Sequence, residues 1–219
     1  KDSADFIMLE YHLSNPVIDP LNTVNPNDPE ARASYYGISQ TPIGTMNGLD
    51  DFLGNMNDPK ISRTNIDEQG LMDPVFTIQV DTVLSNSNRI EVNTTLIAND
   101  TLSQELLVHV AVVENEIVNT GFTERAVVRK MLYGGGKYIN QTWNIGDALN
   151  LSGAEAAIWD IDLEIYDPSK VGIVVFVQNK RTREVYQSVY LKANTKQRGE
   201  VVQTEEAIDL ANIWDVKLY

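Results

Sequence analysis

Hydrophobic positions follow two patterns along this chain. Phe6-Ile7-Met8-Leu9-Glu10-Tyr11 is a nearly continuous apolar run, the signature of a strand covered on both faces, as in a parallel sheet. Residues 106–113 and 172–178 read the same way, with His109 the one polar interruption of the first. Elsewhere the period is 2. Residues 75–80 alternate, as do Ile90, Val92, Thr94, Leu96 and Ala98, with Glu91, Asn93 and Thr95 on the other face. Ile161, Leu163 and Ile165 alternate with Asp162 and Glu164, which would put Asp160, Asp162 and Glu164 on a wet face. Residues 179–183 form a hairpin loop that returns through 185–191. Six or more strands separated by turn signals predict an antiparallel, Ig-like sandwich over 73–193.

The first 72 residues are patterned differently. Pro29 and Glu30 suit the first turn of a short helix that carries Arg32, Tyr35 and Tyr36 and stops at Gly37. Residues 43–46 read as a strand, Asn47-Gly48 as a tight turn, and Ile61, Ile66 and Leu71 place a helix within 58–72. Asp73-Pro74 marks the change of period. Beyond Asn194 the chain is polar until Ile208 and Trp214, so 194–219 reads as a linker or tail.

Composition narrows the function. There are 31 acidic and 17 basic residues, a net charge of −14, in 219 residues. Such a balance argues against a nucleic-acid partner, because phosphate binding needs a basic face. No cysteine is present, which removes thiol catalysis, disulfides and zinc ribbons. No apolar run is long enough to span a bilayer. The opening, Lys1-Asp2-Ser3-Ala4-Asp5-Phe6, lacks both an apolar signal segment and an initiator methionine, and is read as a mature or clipped end.

Candidate chemistry is sparse. His12 and His109 are the histidines. His109, within an apolar strand, is expected to be structural. His12 stands beside a loop containing Asp19, but no Ser or Cys nucleophile motif accompanies that pair. Gly134-Gly135-Gly136-Lys137 lacks the spacing of a phosphate loop and reads as a turn. Asp19, Asp28 and Glu30 share an oxygen-rich loop that would suit Ca²⁺, the one cofactor in view. Trp143 and Trp159 could stack on sugars, although core packing is the ordinary role of such residues. Asn93, Asn99, Asn140 and Asn150 begin Asn-x-Ser/Thr triplets.

Several segments, in order, resemble the 28-kilodalton outer-membrane protein family of Bacteroidota. They are Leu9-Glu10-Tyr11-His12, 31–38 (Ala-Arg-Ala-Ser-Tyr-Tyr-Gly-Ile), 41–48 (Thr-Pro-Ile-Gly-Thr-Met-Asn-Gly), 108–114, 128–132, 175–179 and 185–188. The resemblance implies an α+β chain: a truncated thioredoxin-like α/β domain over 1–72, followed by the sandwich. It implies a cis peptide before Pro42 and makes the Pro42 loop a binding candidate. Separately, Asp2-Ser3-Ala4, Asp81-Thr82-Val83 and Asp100-Thr101-Leu102 resemble the Asp-Ser/Thr-aliphatic O-glycosylation pattern of Bacteroidota, making Ser3, Thr82 and Thr101 candidate positions. The ending Lys217-Leu218-Tyr219 resembles the start of a type IX secretion domain. A secreted or outer-membrane surface protein is the implied location, and a non-catalytic role in adhesion, scaffolding or surface assembly, with surface proteins or glycans as partners, is the implied function. The alternatives are a non-catalytic fragment of a thiol-disulfide or hydrolytic enzyme, or a glycan- or peptide-binding module. A thioredoxin sheet beginning at Phe6 would lack a central strand, and each buried backbone group left unpaired costs ~1–3 kcal/mol. Either another polypeptide completes that sheet, or the standard sheet is absent.

Overall fold

The structure, a computed structural model, describes residues 6–15, 17–50, 53–55, 60, 62–85, 88–119, 122–162, 164–192, 208–210 and 212–218. Two strands organise it. β4 (Leu106–Glu114) and β11 (Val171–Asn179) pair antiparallel over nine residues. Every residue of both is buried. Alternate side chains point to opposite faces of a strand, so this pair serves two cores. Leu106, Val108, Val110 and Val112, with Val171, Ile173, Val175 and Val177, face the first core. Ala111, Val113, Val174 and Phe176 face the second.

The first core is the sandwich interior. Its opposite wall is a sheet ordered β10 (Ala157–Asp160), β3 (Arg89–Ala98) and β2 (Phe76–Ser85), with β9 (Ala148–Leu151) also on β3. Phe76 and Trp143, both fully buried, meet edge to face at 5.1 Å. The period-2 reading of 90–98 holds: even-numbered positions are buried and the intervening ones half-exposed. Residues 161, 162, 164 and 165 do not form the expected strand. β10 ends at Asp160, and the Asp162 carboxylate accepts from the Glu164 amide while its carbonyl accepts from Ile165 and Tyr166. An Asx turn has replaced extension there.

The second core departs from expectation. β1 (Phe6–Tyr11) is parallel to its neighbours, as its apolar run predicts, but it belongs to the sandwich's own large sheet. That sheet runs β13 (Ile208–Leu210), β12 (Val185–Lys192), β11, β4, β7 (Val127–Met131), β1 and β14 (Asn212–Leu218), with β8 (Lys137–Ile139) also on β4. Among the described residues the first 72 build no thioredoxin-type sheet. The expected strand at 43–46 is absent; Gly44 makes an isolated bridge to Gly54 instead. Nor is 194–219 only a tail, since it supplies β13 and β14. β13 pairs with β12 and β14 with β1, yet only residue 211 separates them. The two residue steps from 210 to 212 span at most ~7 Å. The sheet therefore rolls until β12 reaches β1 and β14.

α2 (Asn27–Tyr36) packs on the second core through Ala33 and Tyr36. Asp28 and Glu30 suit its positive end, and Gly37 closes it at φ 68° in the left-handed region. α1 (Pro20–Thr23) is a single turn capped by Asp19. α3 (Arg63–Gln69) is shorter than the 58–72 pattern suggests, begins at a Ser62 cap and buries no residue fully. β5 (Ile117–Asn119) and β6 (Phe122–Glu124) form a separate small hairpin. Among the described residues no helix is long and apolar enough to cross a membrane.

The Asn47-Gly48 turn forms as expected, with φ of 50° and 67°, and docks on the β11–β12 loop, where the Val185 amide donates to Asn47 O. A Cβ on Gly48 would lie 2.1 Å from the Arg183 carbonyl oxygen. Gly48→Ala is expected to lower stability by about 2–4 kcal/mol through overpacking and backbone strain. Gly37→Ala, whose Cβ would meet nothing within 4 Å, should cost only about 1–2 kcal/mol. Urea unfolding of the two variants side by side measures the difference.

Candidate functional site

Two polar clusters lie around the second core. The first sits beneath α2. The Arg32 guanidinium donates to Gln178 Oε1 at 3.3 Å and Tyr36 Oη at 3.2 Å. It also lies over the rings of Tyr36, Tyr35, Phe176 and Tyr11 at 5.0 to 5.9 Å. Gln178 Nε2 donates to Tyr36 Oη and to the Arg183 carbonyl. Burial pushes the Tyr11 hydroxyl up to about 12, with Arg32 opposing. His109 stacks on Phe176 at 4.6 Å with its ring against Gly136. Burial, then the Arg32 charge, hold its pKa well below the usual 6.5. Gln178 opposes that shift, but its amide is engaged by Tyr36, Arg183 and Arg32. A neutral imidazole with 1% exposure is packing material, in keeping with the structural role expected of it.

The opposite, first-core side of the sheet holds an ion pair next to Tyr166, whose ring lies under Arg129 at 5.6 Å. Arg129 Nε donates to Glu114 Oε2 at 2.8 Å, with both side chains under 10% exposed. Asp28 fastens α2 to β7: its Oδ2 accepts from the Met131 amide and from Asn25, and pairs with Lys130 at 3.2 Å.

The second cluster lies where β1 ends. Glu10 and His12, two residues apart on extended backbone, are 2% and 3% exposed. His12 Nδ1 lies 2.7 Å from Asp19 Oδ2. Asp19 Oδ1 accepts from the Leu21 amide. Asn22 Nδ2 donates to the His12 carbonyl, and Ser14 Oγ donates to Asn22 Oδ1. This network fixes the imidazole. Glu124, half-buried at the end of β6, approaches from the other side. One ligand atom from each of Glu10, His12 and Glu124 lies within 4.8 Å of the others, the one such trio among the described residues. These residues could hold a metal ion.

The carboxylates expected to bind Ca²⁺ do not converge. Asp19 serves His12 and a helix cap, Asp28 serves β7, and Glu30 is exposed on α2. Trp143 is fully buried against Phe76 and presents no face to a sugar, a correction to its place among the glycan candidates. Trp159 is half-buried and meets Tyr166 edge on. Pro42 is exposed and follows a cis peptide bond. Thr101 is exposed and Thr82 half-buried, while Ser3 lies outside the described residues. Asn99, Asn140 and Asn150 are exposed and Asn93 is half-buried. Sequence reasoning missed Glu10 and Glu124. The available signal was a lone acid inside an otherwise apolar strand.

No family model matches the sequence, and no curated protein matches it. Among solved structures the chain is similar to HBP35 of Porphyromonas gingivalis, with a TM-score of 0.60 at 14% identity over 85% of this chain. It spans 65% of that protein's length. At this identity the likeness shows a common fold and no more. A domain of the outer membrane lipoprotein Omp28 from the same organism gives a TM-score of 0.40 at 16% identity, covering 58% of this chain and 93% of that one. That similarity is too low to carry an argument.

Two measurements test the reading of the buried groups. An unfolded His109 titrates near 6.5 and the folded one well below it. Between those values the unfolded state binds more protons, so stability falls as pH drops below about 6.5. His109→Gln is expected to flatten that part of the urea midpoint against pH curve. Glu114→Gln leaves Arg129 buried without its counter-charge and should cost about 3–5 kcal/mol. The double variant Glu114→Gln/Arg129→Met should recover part of the loss in the same unfolding assay.

Proposed function

We propose that this is a secreted or outer-membrane surface protein that works by non-catalytic binding and assembly. The observation that carries the reading is how β1 is held. Six register pairs join it to β14, from Phe6 with Asn212 to Tyr11 with Leu218, whereas Glu10 with Val127 is its one register pair with β7. A position in the sheet is thus filled by strand addition from a segment far away in sequence. Main-chain pairing of this kind is also how proteins join one another through sheet edges. In place of the thioredoxin-type sheet that was expected to need another polypeptide, β1 lies between β7 and the chain's own 212–218. An equivalent segment from a second copy presents the same backbone and can take the same place, a low-barrier route to assembly.

The surface location is supported by the resemblance of the segments quoted above to an outer-membrane family and by the exposed Asn99, Asn140 and Asn150 of the Asn-x-Ser/Thr triplets. A charge of −14 suits a soluble surface that associates only once it is screened.

Two experiments test the reading. Protease shaving of intact producing cells should remove the protein, and its retention in the cytosolic fraction would overturn the location. A labelled peptide of residues 208–219 should bind a chain ending at residue 207 with micromolar affinity by fluorescence anisotropy. The full chain, its slot filled, should bind at least tenfold more weakly. Equal binding to both would remove strand addition as the basis of assembly.

A further inference from the structure

We propose that Glu10, His12 and Glu124 bind one divalent transition-metal ion of the zinc class, with Asp19 as the outer carboxylate that orients the imidazole. This inference does not depend on the surface-assembly reading.

The argument begins with backbone. Residues two apart on an extended chain project to the same side, so Glu10 and His12 are delivered together by β1 and its continuation. Glu124 arrives from β6, a different part of the chain. Their ligand atoms lie within 4.8 Å of one another. Around a tetrahedral ion with bonds of ~2.0–2.1 Å, donors stand about 3.4 Å apart, so the three side chains need to draw in by at most ~1.5 Å. The half-buried Glu124 also supplies an entry path from solvent.

The histidine is already set for coordination. Asp19 holds Nδ1 at 2.7 Å and is itself held by the Leu21 amide. That is the carboxylate–imidazole arrangement found behind metal-bound histidines, where it fixes the tautomer and raises ligand basicity. Coordination then falls to Nε2. One imidazole with two carboxylates suits Zn²⁺ better than Ca²⁺, which takes six or more oxygens. A doubly charged ion also matches two carboxylates, one of them 2% exposed. Three protein ligands leave a fourth position for water.

The test is calorimetric titration of ZnCl₂ into chelator-treated full chain. Binding of one ion per chain at micromolar affinity or tighter is expected, with a rise in melting temperature. Glu124→Gln, on a half-exposed hairpin that tolerates the change, should weaken binding at least tenfold. His12→Ala should do the same. Asp19→Asn should weaken it about tenfold while keeping one ion per chain. Asp160→Asn, on the exposed end of β10, should change nothing. An anomalous diffraction peak within bonding distance of Glu10, His12 and Glu124 would place the ion. Absence of stoichiometric binding by the metal-free chain, or unchanged binding by Glu124→Gln, overturns the proposal.

Discussion

The pairing of β4 with β11 is the constraint on which the rest of this structure depends. Both strands are buried along their whole length, so each must present apolar side chains in two directions at once. Fully burying one Val, Leu, Ile or Phe side chain contributes about 1.5–3 kcal/mol, and this pair commits most of its residues to that end. Its few polar members, His109, Glu114, Gln178 and Asn179, consequently need specific answers; Asn179 Nδ2, for one, donates to Tyr186 Oη. Glu114 has Arg129, Gln178 has Arg32, Tyr36 and the Arg183 carbonyl, and His109 is kept neutral and stacked.

A wall shared by two cores explains why the segment before residue 73 does not stand apart. α2 covers the outer face of β4 and β11, and β1 extends that same sheet beside β7, so a separate sheet is unnecessary. β1 then needs a main-chain neighbour along its length. Segment 212–218 supplies it, and the passage through residue 211 to β13 ties this edge to β12. The rolling of the large sheet is the geometric result of satisfying both edges with one short stretch of chain.

The same roll places the end of β1 beside the β5–β6 hairpin and the α1 loop. It collects Glu10, His12, Asp19 and Glu124 into one corner, although 114 positions separate the first from the last. In a chain of this charge most carboxylates are dispersed in solvent. This corner is distinguished by burial and by a histidine whose orientation is fixed.

Much of the architecture was legible along the chain. The two-faced runs at 106–113 and 172–178, the alternation at 90–98, the helix closed by Gly37 and the Asn47-Gly48 turn follow from periodicity and local backbone chemistry, which neighbouring residues alone dictate. The parallel character of Phe6–Tyr11 was readable for the same reason. Tertiary structure alone decided which sheet β1 joins, that 208–210 and 212–218 are strands and not tail, and that Trp143 is core. It also decided which carboxylates meet: Asp19, Asp28 and Glu30 are close in sequence but point to different partners, whereas Glu10, His12 and Glu124 converge. Local pattern specifies which face of an element is apolar. It does not specify what covers that face, because long-range pairing is chosen by the burial and hydrogen-bond needs of the whole chain.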